Sequence, residues 1–243
     1  VAGSVCIAAR VGEPNVAIVG RHGLADLYLD DDPSLSLRHL AVLLHPATSW
    51  EPQRQVVSLL DLRTHTRFET EHGTTLDALV AEGPAFVRCG RFALLCLPVG
   101  DPSDYPASAS DAWDLLPERD YLDAQGGKCE LGTPQPPRQL AASAVGSGRR
   151  GHSCITLVDG LLLARGQLLA PGERAAGYLS AVAGGRARTL PVGPSALARG
   201  VLIGRHQRCD QHDLLTDRHI SRVHLMLRRI GERLFAIDLA STG

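Results

Sequence analysis

Two short polar motifs near the end of the chain contain residue types that suit the binding of an anion. They are Gly204-Arg205 and Ser221-Arg222-Val223-His224. An arginine guanidinium presents a planar fork of charged donors, and a serine hydroxyl on a fixed loop can donate one more hydrogen bond. A phosphate group carries three strong acceptor oxygens and about −1.5 to −2 charges at neutral pH. The pairing of these motifs therefore indicates a site for phosphate or a similar anion.

The same stretch fits metal binding and catalysis less well. His206, Cys209 and His212 resemble metal ligands, but zinc needs about four ligands and no CxxC or HxxxH pair lies nearby. Ser221 and His224 resemble a nucleophile and its base, yet positions i and i+3 of a strand face opposite sides. A G-x-S-x-G elbow does not occur in the sequence. The sequence therefore predicts no enzyme activity, no metal and no cofactor.

Composition argues against nucleic acid and membranes as partners. The 243 residues carry a formal net charge of −1, and residues 201–243 hold seven Arg against five acidic residues. Aromatic residues make up 4% of the chain, so platforms for stacking bases are scarce. Apolar runs stay short of the 18 or so residues that a membrane helix needs. Six scattered cysteines without a CxxC pair favour a reducing, cytoplasmic location.

An internal repeat indicates which elements hold the motifs. Val19-Gly20-Arg21-His22 matches residues 203–206, and Ser36-Leu37-Arg38-His39 matches residues 221–224 after a slip of one residue. In both copies an apolar strand follows, then a strand ending in Asp-Leu, then a turn with hydroxyl side chains. Short strands punctuated by Gly, Pro and Asp are typical of an all-β fold. The sequence therefore predicts two antiparallel β-sandwich domains.

Composition also sets the expected domain boundaries. We expect a first sandwich over residues 1–100, a mostly irregular linker rich in Pro, Ser and Gly over 101–151, a β-hairpin extension over 152–176, and a second sandwich over 177–243. The second copy stops 5 positions after Asp238, whereas the first continues for 37 positions after Asp61. We therefore expect the second sandwich to be incomplete at its C-terminus and the chain to be a fragment.

The order of these motifs resembles the forkhead-associated (FHA) domain. Gly204-Arg205 is followed by Ser221-Arg222-Val223-His224, then by a strand and Ser241-Thr242. The resemblance covers about 177–243 well and about 5–99 more loosely. It implies a sandwich of two antiparallel sheets whose loops at one end bind a phosphothreonine peptide. It further implies a partner protein that contains phosphothreonine, such as a Ser/Thr kinase or its substrate.

The resemblance assigns roles in the second domain. The residues that it implies for phosphopeptide binding are Arg205, Ser221, Arg222 and Thr242. Those that it implies for support of the site are Gly204, His224 and Ser241. Gly243 stands where the family has the Asn that holds the peptide backbone, and this departure predicts weaker affinity.

The first domain departs further from the family pattern. Its degenerate site retains Arg21, Ser36 and Thr64, but Leu37 replaces the first Arg of Ser-Arg-x-His, although Arg38 lies next to it. These departures leave one alternative open. Both domains would then be protein-protein scaffold modules that bind without regard to phosphate.

Overall fold

The computed structural model describes nine ranges of the chain, and all statements below concern them. They are residues 3–48, 55–70, 73–82, 85–97, 119–123, 154–158, 167–213, 215 and 217–240. Regular structure in these ranges consists of β-strands and one helix of six residues. The all-β prediction is thereby confirmed. The chain divides into two compact units, Val1–Asp61 with His65–Gly160 and Leu62–Thr64 with Leu161–Gly243.

The first unit is built from two sheets. Its strands are β1 (Asn15–Gly20), β2 (Leu27–Tyr28), β3 (Leu40–Leu44), β4 (Val56–Asp61), β5 (Phe68–Thr70), β6 (Thr75–Leu76), β7 (Ala78–Glu82), β8 (Ala85–Cys89), β9 (Phe92–Cys96), β10 (Arg119–Asp123) and β11 (Cys154–Val158). The larger sheet has the order β10-β11-β7-β4-β3-β1-β2, and the smaller has the order β6-β5-β8-β9. Neighbouring strands are antiparallel except in the pairs β1–β2 and β10–β11.

One apolar core is shared by both sheets of the first unit. Leu40 and Leu59 of the larger sheet belong to the same buried cluster as Phe68 and Val87 of the smaller sheet. All five residues of β3 are buried, so this strand is covered on both faces. Its sequence LAVLL is continuously apolar for that reason. Because these strands are buried, the ends of the loops that connect them are held in place.

The second unit is built around two smaller sheets. Its elements are β12 (Gly177–Ala183), β13 (Arg186–Val192), helix α1 (Pro194–Arg199), β14 (Val201–Ile203), β15 (Leu225–Ile230) and β16 (Arg233–Asp238). Strands β12 and β13 form an antiparallel hairpin, and β14-β15-β16 form a three-stranded antiparallel sheet. Leu168, Val192, Ala196 and Val201 lie in a common buried cluster.

A carboxylate fixes the start of α1, the helix that leads into β14. Pro194 supplies the first helical residue, where a missing N–H has no cost. Glu173 accepts hydrogen bonds from the main chain and the hydroxyl of Ser195 at 2.8 and 2.7 Å, and from the Ala170 N–H at 2.9 Å. Burial raises the pKa of Glu173, but these three hydrogen bonds outweigh burial and lower the pKa overall. These hydrogen bonds therefore fix the position of α1 and with it the start of β14, which follows the helix directly.

Two described strands fall in the segment between the two expected sandwiches. Strand β10 lies within the expected, mostly irregular linker, and β11 lies where the expected hairpin extension has its first strand. They pair with each other, and β11 also pairs with β7 of the first unit. The physical reason is that β7 would otherwise be an edge strand with unpaired main-chain groups. The rest of the linker, 101–118 and 124–151, and the expected turn at Asp159-Gly160 lie outside the described residues.

Within the described ranges, no helix has the length and apolar character needed to cross a membrane.

A buried carboxylate joins two loops of the first unit. Asp32 accepts the N–H of Ser34 at 2.9 Å and the N–H of Arg91 at 2.9 Å. The side chain of Ser34, then these main-chain donors, hold the pKa of Asp32 below its usual value. Gly90 has a φ of +56°, and a Cβ placed on it would overlap the Oδ2 atom of Asp32. Glycine is therefore required there for two separate reasons.

Gly90→Ala should destabilise the protein more than the matched change Gly73→Ala. Both glycines have positive φ, at which an L-residue costs about 1–2 kcal/mol, so the backbone strain is common to both. A Cβ at Gly73 meets no atom within 4 Å, whereas at Gly90 it displaces the Asp32 carboxylate. Urea denaturation should show a loss about 1 kcal/mol larger for Gly90→Ala. Equal losses would contradict this role of Asp32.

Candidate functional site

The two motifs of the second unit lie on loops that are hydrogen-bonded to each other through the main chain. We call residues 204–210 the Gly-Arg loop and residues 217–224 the Ser-Arg loop. The Arg205 N–H donates to the Ser221 carbonyl at 3.3 Å, and the His206 N–H donates to the Arg222 carbonyl at 2.9 Å. These bonds continue the pairing of β14 with β15 beyond the ends of the strands. The sheet therefore holds both motifs side by side.

Gly204 is required by the close approach of these loops. A Cβ placed on it would lie 2.5 Å from the carbonyl oxygen of Arg222 and 3.0 Å from the nitrogen of His224. Both neighbours are main-chain atoms of the Ser-Arg loop, so they cannot rotate away as a flexible side chain would. The absence of a side chain at Gly204 thus permits the loop contact.

Arg205 is exposed, and its guanidinium is anchored at one nitrogen. The Nε atom donates to the Ile220 carbonyl at 2.8 Å. Within the part of the chain that the structure describes, no carboxylate pairs with this guanidinium. Asp210 and Asp217, the nearby acids, accept main-chain N–H groups at 2.9 Å, from Leu202 and His219 respectively. Among the described residues, no hydrogen bond is recorded for the two terminal nitrogens of Arg205.

His224 holds the main chain of the Ser-Arg loop. Its Nδ1 accepts the Ser221 N–H at 3.4 Å, and its own N–H donates to the Ile203 carbonyl at 2.9 Å. A histidine in this position restricts how the serine is presented. Ser221 is itself buried, while Arg222 next to it is exposed. The loop thus combines a buried serine with a cation that reaches solvent.

Cys209 and the two neighbouring histidines contribute to loop structure instead of forming a cluster. The Cys209 thiol donates to the Arg222 carbonyl at 3.3 Å, and burial above all raises its pKa to about 11. His212 contacts the Cys209 carbonyl at 3.1 Å and Asp213 at 2.8 Å. Among the described residues, no three His, Cys, Asp or Glu side chains are arranged to hold a metal ion.

The loops carry further cationic residues that reasoning from the motifs missed. Arg208 lies on the Gly-Arg loop, and its N–H donates to the His206 ring at 3.2 Å. Arg218 lies exposed on the Ser-Arg loop. The signal was present in the sequence, because residues 204–224 contain four Arg. Ser241 and Thr242, assigned to the site by the family resemblance, lie outside the described residues, as does Gly243.

The first unit repeats this loop geometry bond for bond. The Arg21 N–H donates to the Ser36 carbonyl at 3.2 Å, and the Arg21 Nε donates to the Leu35 carbonyl at 2.6 Å. The Ser36 N–H donates to Nδ1 of His39 at 3.0 Å. A Cβ on Gly20 would lie 2.9 Å from the carbonyl carbon of Leu37, so this glycine is equally constrained.

The turn after the Asp-Leu strand also recurs. Arg63 and Ala240 have φ values of +57° and +55°, and among the described residues they alone have positive φ without being glycine. Thr64, assigned to the degenerate site of the first domain, is 2% exposed and groups with the second unit. Arg21 and Ser36 of the same assignment lie on the first unit's loops and are half-buried. Thr64 is therefore assigned to a different compact unit from Arg21 and Ser36.

Comparison with known proteins gave no relative. A scan against protein-family models, a search of curated proteins and a search of solved structures each found no match.

Gly204→Ala should destabilise the loop pair, whereas Gly177→Ala should not. The new Cβ at 204 meets two main-chain atoms at 2.5 and 3.0 Å, but at 177 it meets nothing within 4 Å. Overpacking of this kind costs about 1–3 kcal/mol. Thermal unfolding should therefore show a clear fall in Tm for the first variant and almost none for the second. A Tm unaffected by Gly204→Ala would contradict the close approach of the loops.

Cys209 should react far more slowly with iodoacetamide at pH 8 than the exposed Cys6. Thiolates are the reactive form, and a pKa of about 11 in place of about 9 leaves roughly a hundredfold fewer of them at Cys209. Mass spectrometry of the alkylated peptides after short exposures measures each rate. In denaturant the two cysteines should react alike, which controls for their different sequence surroundings. Rapid native labelling of Cys209 would contradict its burial.

Proposed function

We propose that the second unit is an FHA-like module that binds phosphothreonine-containing proteins without catalysing a reaction. Arg205, Ser221 and Arg222 hold the phosphate. The observation that carries the proposal is the state of Arg205. Its Nε is held by the Ile220 carbonyl, and both acids nearby are engaged with main-chain N–H groups. An exposed, oriented and uncompensated guanidinium on a rigid loop suits a doubly charged ligand.

The chemistry of the remaining side chains favours phosphate over a simple carboxylate. A phosphate group has three acceptor oxygens to satisfy, and the two loops offer donors of different kinds. Arg205 provides a fork of charged donors, Ser221 provides a short neutral donor, and Arg222 adds a second cation. Arg208 and Arg218 raise the local potential further. Gly204 and His224 act indirectly by fixing the two loops against each other.

The family resemblance and the fold support the same conclusion. The two sheets of the first unit share one apolar core, as the sheets of a β-sandwich do. The second unit repeats its loop hydrogen bonds, so we extend the sandwich proposal to both units, joined by a linker. Ser241 and Thr242 complete the proposed site by resemblance, with Thr242 bonding the peptide. The proposed setting is cytoplasmic Ser/Thr-kinase signalling, in which the partner is a kinase or its substrate.

Arg205→Ala should reduce the affinity for phosphothreonine peptides by about tenfold to a hundredfold. The net loss of one charge-assisted hydrogen bond costs roughly 1.5–3 kcal/mol, which corresponds to about tenfold to hundredfold in affinity. Fluorescence anisotropy with a library of phosphothreonine peptides and their unphosphorylated counterparts measures the effect. Ser221→Ala and Arg222→Ala should give smaller losses, and added salt should weaken binding.

Arg186→Ala provides the matched control, because this arginine is also exposed but lies at the β12–β13 turn. It should leave phosphopeptide affinity unchanged. Equal binding of phosphorylated and unphosphorylated peptides would disprove the proposal. That result would instead favour the alternative in which both units are scaffold modules indifferent to phosphate.

A further inference from the structure

The loops of the first unit present leucines at two positions where the second unit presents arginines. The N–H of Leu24 donates to the His22 ring at 3.2 Å, as the N–H of Arg208 does to the His206 ring. The His22 N–H donates to the Leu37 carbonyl at 2.9 Å, whereas its counterpart in the second unit donates to the carbonyl of an arginine, residue 222. The same main-chain hydrogen bonds therefore hold apolar leucines in the first unit and charged arginines in the second.

Both leucines are accessible to a partner. Leu24 is 55% exposed, Leu37 is 38% exposed, and each is hydrogen-bonded through its main chain to His22. Tyr28, which pairs with Gly20 at the start of the same loop, is 50% exposed. A single exposed leucine is ordinary on a protein surface. Two on adjoining loops, with an exposed tyrosine next to the loop start, are apolar residues that a partner protein can cover.

The first unit has also lost the other cations of the loop pair. Asp32 and Asp217 form the same turn, in which each carboxylate accepts a main-chain N–H at 2.9 Å. The residues after Asp217 are Arg218 and His219, but Pro and Ser follow Asp32. Arg38 replaces the buried Val223 of the second unit and is only 6% exposed. The guanidinium of Arg38 is therefore buried and not presented at the surface.

The electrostatic balance of the two loop pairs differs in sign. Residues 20–39 contain two Arg and four Asp, whereas residues 204–224 contain four Arg and three Asp. Asp30 and Asp31 are exposed and lie directly after Tyr28–Leu29. A phosphate dianion would meet carboxylates here, and the repeated arginine, Arg21, is half-buried where Arg205 of the second unit is exposed. Lysine or arginine side chains of a partner would be attracted.

We propose that the loop pair of the first unit is a docking surface for an unphosphorylated protein segment in which apolar side chains are flanked by Lys or Arg. Leu24, Leu37 and Tyr28 bury the apolar side chains, and Asp30 and Asp31 attract the flanking cations. The duplicated scaffold therefore serves two different ligands. The first copy recognises the apolar side chains and the positive charge of its partner, independently of the phosphate site proposed for the second copy.

The test uses the whole chain and three matched arrays of synthetic 12-residue peptides. One array has Leu, Ile or Phe flanked by Lys and Arg, the second has the same apolar residues flanked by Asp and Glu, and the third adds phosphothreonine to the second. The first array should contain peptides that bind. Their affinity should fall at least about tenfold in the double variant Leu24→Ser with Leu37→Ser.

Two controls separate this site from the phosphate site. Arg205→Ala should leave binding of the basic apolar peptides unchanged, and Leu234→Ser, at a leucine 58% exposed on β16, should do the same. Because Leu24 and Leu37 are exposed, the Tm of the double variant should match that of the parent chain. Loss of phosphopeptide binding in Arg205→Ala, with basic peptide binding retained, would show that the two ligands use different sites.

Four results would overturn the proposal. They are the absence of binding to the first array, equal binding to the acidic array, retention of affinity in the double leucine variant, and loss of affinity in Arg205→Ala. Analytical ultracentrifugation tests whether a second copy of the chain occupies this surface instead. A dimer that the double leucine variant abolishes would mean that a second copy of the chain, and not a basic segment, covers these leucines.

Discussion

The structure of each candidate site depends on one constraint, the contact between two loops that leaves no room for a Cβ atom. In the second unit that contact joins Gly204 to the main chain of Arg222, and in the first unit it joins Gly20 to the main chain of Leu37. Once the glycine is in place, adjacent N–H groups meet the carbonyls of the facing loop. The positions of the serine, the arginine and the histidine follow from these bonds, and not from contacts between their side chains.

Because the main chain supplies this framework, the exposed side chains are free to diverge. The residues that face inward have nearly the same chemistry in both copies, as His39 and His224 illustrate by accepting the same serine N–H. Two positions that face solvent differ in chemistry, because leucine in the first copy corresponds to arginine in the second. Substitution of these side chains is therefore compatible with the same framework, since only the main-chain groups of these residues take part in it.

The sequence predicted the repeat, the all-β fold and the loop motifs well, because each depends on local pattern and spacing. It failed where pairing depends on residues distant in the chain. Strand β11 pairs with β7, some 75 positions earlier, and the composition around it carries no sign of that partner. The sequence assigned Gly204 to the support of the site, and the structure shows the distances involved, in the close approach between two loops. Distances of this kind between loops leave no periodic signal.

Arg38 shows why neighbours in sequence are poor substitutes for one another at such a site. In the sequence, Arg38 is a cation one position after Leu37, the residue that corresponds to Arg222 in the second copy. In the structure, however, these two neighbouring side chains differ in exposure. Arg38 corresponds to Val223 and is buried, while Leu37 takes the exposed position. A shift of one residue therefore removes the charge from the surface altogether, and the overall net charge of −1 conceals the resulting difference between the two loop pairs.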